Sequence, residues 1–267
     1  MNVGVMLRYL KLFWALFRYS AIREMMFKAN FLLWVVVEFA WFGLQLVLIE
    51  VIYLHVQEVA GWNKYEMILL IGTSHVVQQL FQLIFMINLI EFPENVRTGR
   101  LDFALLQPAD SQFMASIRKF DPGSIVNISV ALGIVGYAVW KLNLHPSLMH
   151  LSLYTLLVIN GALIHYALML AIVTLSFWIV RAQGLVYGYY NLFQIARIPR
   201  QAFTGGVRFF FTWVLPMLIV ANAPAESLVR SNFNGQILGL LAITACSVTV
   251  SSLWFRFGLK SYTSASS

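Results

Sequence analysis

The chain has 267 residues, of which 60% are apolar and 11% charged, and its mean hydropathy is +0.76. A soluble domain carries roughly a quarter charged residues and lacks the buried volume for 21 Phe, 11 Tyr and 8 Trp. One cysteine, Cys246, excludes a disulfide scaffold, so the composition predicts an all-α polytopic membrane protein.

Residues 5–27 read as an amphipathic helix rather than a cleavable signal. Arg8, Lys11, Arg18 and Arg23 interrupt its apolar residues and leave no continuous hydrophobic core. Such a helix is expected to lie in the plane of the membrane interface, its cations near anionic headgroups. Spans of about 20 apolar residues follow at 31–54, 66–90, 124–140 and 151–180, then a shorter one at 208–223 and a last one at 236–257. Pro216 inside the short span predicts a kinked or re-entrant element. Residues 181–207 are expected as an interfacial helix leading into that span, and 224–235 as a polar cap on the outer side. Six spans in one transmembrane domain put both termini on the same side. With that side inside, fifteen of the eighteen basic residues fall in inner segments and Lys64, Lys141 and Arg230 fall outside. Topology thus accounts for much of the net charge of +7, and no nucleic-acid partner is needed to explain it.

No phosphate-binding loop, zinc-protease helix, nucleophile elbow or Cys/His metal spacing occurs. Catalytic residues, metal ligands and a cofactor bound by this chain are therefore not expected. Polar residues inside spans are costly and mark functional candidates. Glu38 and Gln45 share a face of the first span, flanked by Trp34 and Trp41, while His75, Gln78, Gln79 and Gln82 form a stripe on the second. Two readings fit these residues: the wall of a path for a cationic amphiphile, or amides bonding across helix interfaces. His165 is expected as a hydrogen-bonded packing residue.

Two segments carry a family resemblance. GRLDFALLQPADSQFMASIRKFDPG (99–123) is similar to a G-x-L-D-x-x-L-x-x-P…R-x-F-D pattern, and IPRQAFTGGVRFFFTWVLPMLIVANAPAESL (198–228) to a pattern built on Pro199, Arg208, Thr212, Leu215, Pro216, Pro224 and Ala225. With the span layout, they resemble the permease subunits of ABC-2 type exporters. The resemblance implies a bacterial cytoplasmic membrane protein with both termini cytoplasmic and a separate ABC ATPase dimer that holds ATP and magnesium. It also implies a second permease subunit, preferably a different chain, with a homodimer open. The loop 91–123 would contain a coupling helix within about 96–119. Arg97, Arg100, Asp102, Arg118 and Lys119 would supply its charged contacts, with Leu101, Phe103 and Leu106 among its apolar anchors. The expected activity is export of a small amphipathic or toxic compound. A lipid or glycoconjugate cargo, or a membrane-embedded lipid-modifying enzyme, are the alternatives.

Overall fold

The computed structural model describes residues 3–179, 182–230 and 237–263. Among them only helices and turns occur, apart from one isolated bridge between Val59 and Trp62. Hydrocarbon imposes this, since a helix satisfies its own N–H and C=O groups and an open strand does not.

Helices α1 (Val3–Met26) and α2 (Lys28–Tyr53) part at Phe27, whose backbone leaves the helical region. Most apolar side chains of α2 face outward. Helix α3 (Lys64–Phe81) starts where Asn63 Oδ1 accepts the N–H groups of Tyr65 and Glu66, while the Glu66 carboxylate accepts from the Asn63 N–H at 2.8 Å. It continues through a π-helical turn, Gln82–Met86, into α4 (Ile87–Arg97). The sequence predicts a span over 66–90, but the continuous helix has 34 residues. At ~1.5 Å per residue that is about 50 Å, against a hydrocarbon core of about 30 Å. Gly99, at φ +72°, ends it in the left-handed region that a side chain disfavours.

Two short helices, α5 (Leu101–Leu105) and α6 (Ser111–Ser116), replace the single helix expected within 96–119. Pro108 has no N–H to continue the first, and Asp110 starts the second by accepting the Phe113 N–H at 3.0 Å. Helix α7 (Gly123–Lys141) packs antiparallel on α3, with Val135 against Gly72, and α8 (Leu148–Thr174) returns beside them.

The second half departs from the hydropathy reading. Helix α9 (Gln183–Leu192) is followed by 3-10 turns at Phe193–Arg197 and Arg200–Ala202, with Ile198 and Pro199 between them. The Tyr189 hydroxyl meets His165 Nδ1 midway along α8 (2.7 Å), Arg197 donates to Gln78 (2.6 Å), and Gln201 accepts from Trp62 Nε1 (3.0 Å) beyond the start of α3. Ten α residues, five 3-10 residues and two extended ones reach about 30 Å together. Residues 183–202 therefore run the height of the bundle and do not lie along one end of it, as the reading of 181–207 supposed.

The chain then turns back inward through α10 (Gly205–Phe209) and a π-turn, Phe210–Val214. It bends by 86° before α11 (Met217–Val229) climbs out again, ending with the Arg230 guanidinium 5.7 Å from the Trp62 ring. Residues 205–229 thus form a re-entrant hairpin in place of a fifth span over 208–223. Residues Met217 to Leu228 of α11 are all buried. Gly161 lets α11 pack on α8 so closely that a Cβ there would lie 2.6 Å from the Val220 carbonyl oxygen. Residues 224–229, expected in a polar outer cap, are the last turns of this buried helix, and 231–235 lie outside the described residues.

Helix α12 (Ile237–Lys260) completes the bundle beside α8. Six segments therefore cross: α2, α3 with α4, α7, α8, 183–202 and α12. The start of α1 and the residues after α12 reach the same end of the molecule, both against the segment after α4. Eleven of the eighteen basic residues lie there, and Arg181 falls outside the described residues. The other six, Lys64, Lys141, Arg197, Arg200, Arg208 and Arg230, lie inside the bundle or toward the far end. Arg197, Arg200 and Arg208 correct the charge split read from the sequence, because the segment that carries them crosses.

This topology predicts a labelling pattern in a Cys246→Ser background. Val56→Cys and Thr204→Cys should react with an impermeant maleimide from the same side of sealed vesicles, and Gln107→Cys from the other. Thr204→Cys reacting with Gln107→Cys would restore the interfacial reading of 181–207.

Candidate functional site

A cavity of about 460 Å³ lies toward the basic end, between α2, the π-turn at Gln82–Met86 and the start of α7. Glu24, Glu38, Glu91 and Asp121 line it together with Trp34 and Phe120. Lys119 neutralises Glu91 at 2.7 Å. Asp121 accepts from Gln82 (3.2 Å), the Ser124 hydroxyl (3.0 Å) and the Gly123 N–H (3.1 Å), which fixes the start of α7. Glu24 and Glu38 form no ion pair among the described residues. The space is acidic and partly aromatic.

The sequence grouped Trp34, Glu38, Trp41 and Gln45, but only the first two face this cavity. Trp41 is exposed on the outward surface of α2. Gln45 bonds to His75 at 3.1 Å, one rung closer to the far end. The α3 stripe is likewise distributed over several helix contacts. Gln79 lies between Glu38 (3.4 Å) and Asn127 (3.5 Å), Gln82 reaches Asp121, and Gln78 meets Tyr190 (3.4 Å) and accepts from Arg197. Every side chain of the stripe engages a partner across an interface, and Gln82 alone of the four also lines the large cavity. His165 is buried, bonded to Tyr189 and stacked on Phe193 with ring centroids 3.6 Å apart.

Toward the far end, a buried cluster joins the hairpin to the 183–202 crossing. Asn222 accepts the Arg200 N–H at 2.8 Å and donates to the Ile198 carbonyl at 3.0 Å. One turn on, Glu226, 0% exposed, forms an ion pair with the Arg200 guanidinium (2.9 Å) and accepts from Gln201 Nε2 (2.8 Å). Sequence reasoning placed Arg200 and Gln201 in an interfacial helix, Asn222 at the end of the short span and Glu226 in the polar cap. Asn222 and Glu226 at i and i+4 within an apolar run were the signal that both point into one interface.

The segment after α4 is clamped from several directions. The Asn88 amide brackets Lys119, accepting its N–H and donating to its carbonyl, both at 2.8 Å. Helix α1 holds the other side: Arg8 donates to the Pro108 carbonyl, the Tyr9 hydroxyl accepts the Asp110 N–H, and the Ser20 hydroxyl accepts the Phe120 N–H. Phe13 and Phe17 pack edge-on against Phe120. Tyr262, beyond α12, faces Asp102, and burial together with that carboxylate push its phenol up to about 12. Arg97 pairs with Glu94 at 2.6 Å, and Arg100 bonds to the Thr98 hydroxyl. Leu101, 3% exposed, packs inward and is not available as an anchor. Phe103 (66% exposed) and Leu106 (82%) project outward, and Arg118 is exposed on the same segment.

An all-α bundle with six crossings, a re-entrant hairpin and a clamped segment at its basic end defines a polytopic integral membrane protein. The family model for ABC-2 family transporter proteins matches residues 39–266, and the chain belongs to that family. Helix α1 and the first turns of α2 precede the matched residues. Comparison with curated proteins and with solved structures gave no match.

Breaking a buried ion pair by removing one partner costs about 3–5 kcal/mol. Glu226→Ala should therefore lower the thermal unfolding midpoint in detergent sharply. Glu226→Gln, which can still accept from Gln201 and keeps a polar oxygen beside Arg200, should lower it less. Equal midpoints for Glu226→Ala and the parent chain would show that the pair does not hold the hairpin.

Proposed function

We propose that this chain is the membrane-spanning permease subunit of an ATP-driven exporter, with its basic end cytoplasmic. The observation that carries the reading is the exposed Phe103–Leu106 pair. It sits on a segment that α1, α4, α6 and Tyr262 hold in place, at the end of a helix longer than the bilayer core is thick. Exposed apolar side chains on a charged surface mark a protein contact, and membrane family members of this kind work with an ABC ATPase. That partner would bind ATP and magnesium, and this chain would carry the stroke. Arg100 and Arg118 flank the apolar pair and supply charged contacts, while α1 lies in the plane of the interface as a strut against the segment. A dimer of permease subunits, preferably of two different chains, completes the path, and the bacterial cytoplasmic membrane is its expected location.

The acidic cavity favours a cationic amphiphile as cargo. Glu24 and Glu38, which form no ion pair among the described residues, attract a cation, and Trp34 offers an aromatic face. The arrangement gives no comparable support to an anionic glycoconjugate.

Co-purification in mild detergent tests the assembly. The chain should recover an ATPase, and Phe103→Glu with Leu106→Glu should weaken that association by about 2 kcal/mol or more, as loss of a central apolar contact does. Recovery of the wild-type chain without an ATPase would overturn the reading. For the cargo, Glu38→Gln should reduce export of a lipophilic cation by roughly tenfold, equivalent to about 1.4 kcal/mol, without affecting ATPase recovery. Unchanged export would remove the cavity from the path.

A further inference from the structure

A second cleft, of about 560 Å³, opens at the far end between the descending limb of the hairpin and α12. It shares no lining residue with the acidic cavity. Arg208 and Arg200 contribute its charges, and no carboxylate lines it. Arg200 reaches across to Glu226, but Arg208 is exposed and has no carboxylate partner among the described residues. Residues 231–236, which link the hairpin to α12, include no Asp or Glu that could supply one.

Thr212 stands four residues after Arg208 on the same limb and also lines the cleft. Its Oγ1 is buried without a hydrogen-bond partner. It lies in the π-turn Phe210–Val214, and such turns are frequently placed at functional sites. A cation and an unsatisfied hydroxyl converging on one space need an oxygen-rich anion to complete them. The remaining walls are apolar, formed by Trp213, Leu240 and Ile243 among others. The surface beside them continues with exposed Phe209, Val214 and Leu238.

The depth of the cleft agrees with this chemistry. Gly239 and Leu240 belong to the first turn of α12, and Gly205 opens the hairpin at the same level. That is headgroup depth, where a basic side chain meets lipid phosphate and the apolar groups below meet acyl chain.

We propose that the cleft between α10, its π-turn and α12 binds an anionic phospholipid of the far leaflet. Arg208 and Thr212 hold its phosphate, and Trp213, Leu240 and Ile243 take up an acyl chain. The absence of an acidic wall gives an ammonium-bearing zwitterionic headgroup nothing to match its positive end. The apolar walls give a free phosphate nothing to gain below its own charge. The bound lipid fills the gap between the hairpin limb and the last crossing, bracing the segment that bends by 86°. The site stands independently of the direction of transport, the cargo and the ATPase.

Cys246 supplies a reporter without mutation, because it is exposed on α12 three residues beyond Ile243. The full chain, purified and delipidated in mild detergent, would carry an environment-sensitive fluorophore there. It would be titrated with short-chain phosphatidylglycerol, with phosphatidylcholine of the same chain length, and with glycerol phosphate. Phosphatidylglycerol should give a saturable shift that the other two do not. Arg208→Gln should weaken it by about tenfold, the loss of one charge-assisted contact, and Arg208→Lys should retain most of it. Thr212→Val, which leaves the charge in place, should also weaken it, and it serves as the test if Arg208→Gln does not fold. Equal shifts with phosphatidylcholine would show an apolar cleft without headgroup selection and overturn the proposal. So would equal shifts with glycerol phosphate, or titrations unchanged in both variants.

Discussion

The second half of the bundle depends on the side chain of Asn222. The 183–202 crossing cannot satisfy its own backbone at Ile198–Arg200, because Pro199 interrupts the helix. In hydrocarbon an unpaired N–H or C=O costs several kcal/mol. The Asn222 amide answers both orphan groups at once, with Glu226 beneath Arg200 and Gln201. The irregular crossing is tolerated because α11 lies against it, and α11 lies there because the re-entrant hairpin places it inside the bundle. Gly161 allows that approach from the α8 side. Crossing, hairpin and glycine contact form one unit held by a few polar atoms within an apolar interior.

At the basic end the chain uses contacts of a different kind. The segment after α4 contains little regular structure, yet its backbone is gripped by Asn88, Arg8, Tyr9 and Ser20. Under the proposed function, a force on Phe103 and Leu106 reaches α4 through Asn88 and reaches α1 through Phe120. Helix α4 continues through its π-turn into the wall of the acidic cavity, so the docking surface and the cavity share one rigid element. Each of the two π-turns among the described residues lines one of the two cavities described above, acidic at the basic end and basic at the far end. Widened turns shift the register of the side chains that follow, which is a direct way to open space beside an otherwise regular helix.

Much of the architecture was legible in the sequence. Long apolar runs specify crossing helices because hydrocarbon leaves the backbone few alternatives, and α2, α7, α8 and α12 were visible on that ground alone. Pro216 announced the bend, and the two sequence patterns pointed to the family. The polar stripe of α3 was read correctly as one face, since helical periodicity fixes which residues share a side. That face touches three different neighbours, however, and the grouping of Trp41 and Gln45 with Glu38 does not survive, because the turn of α2 carries them away from the cavity.

What the sequence determined by itself is the class of protein and the end at which most of its positive charge gathers. These follow from summed hydropathy and charge, which are local and additive. Tertiary structure alone decided which stretch makes the fifth crossing. Residues 183–202 are polar enough to pass for an interfacial helix, and 217–223 are apolar enough to pass for part of a span. The roles are reversed because a segment buried in protein can carry Arg197, Arg200 and a proline, provided that Gln78, Asn222 and Glu226 meet them. Those partners lie between 22 and 119 residues away in the chain, so no local reading could pair them. Leu101 and Phe103 make the same point at smaller scale: two residues apart on one short helix, one is sealed against the bundle and the other faces outward.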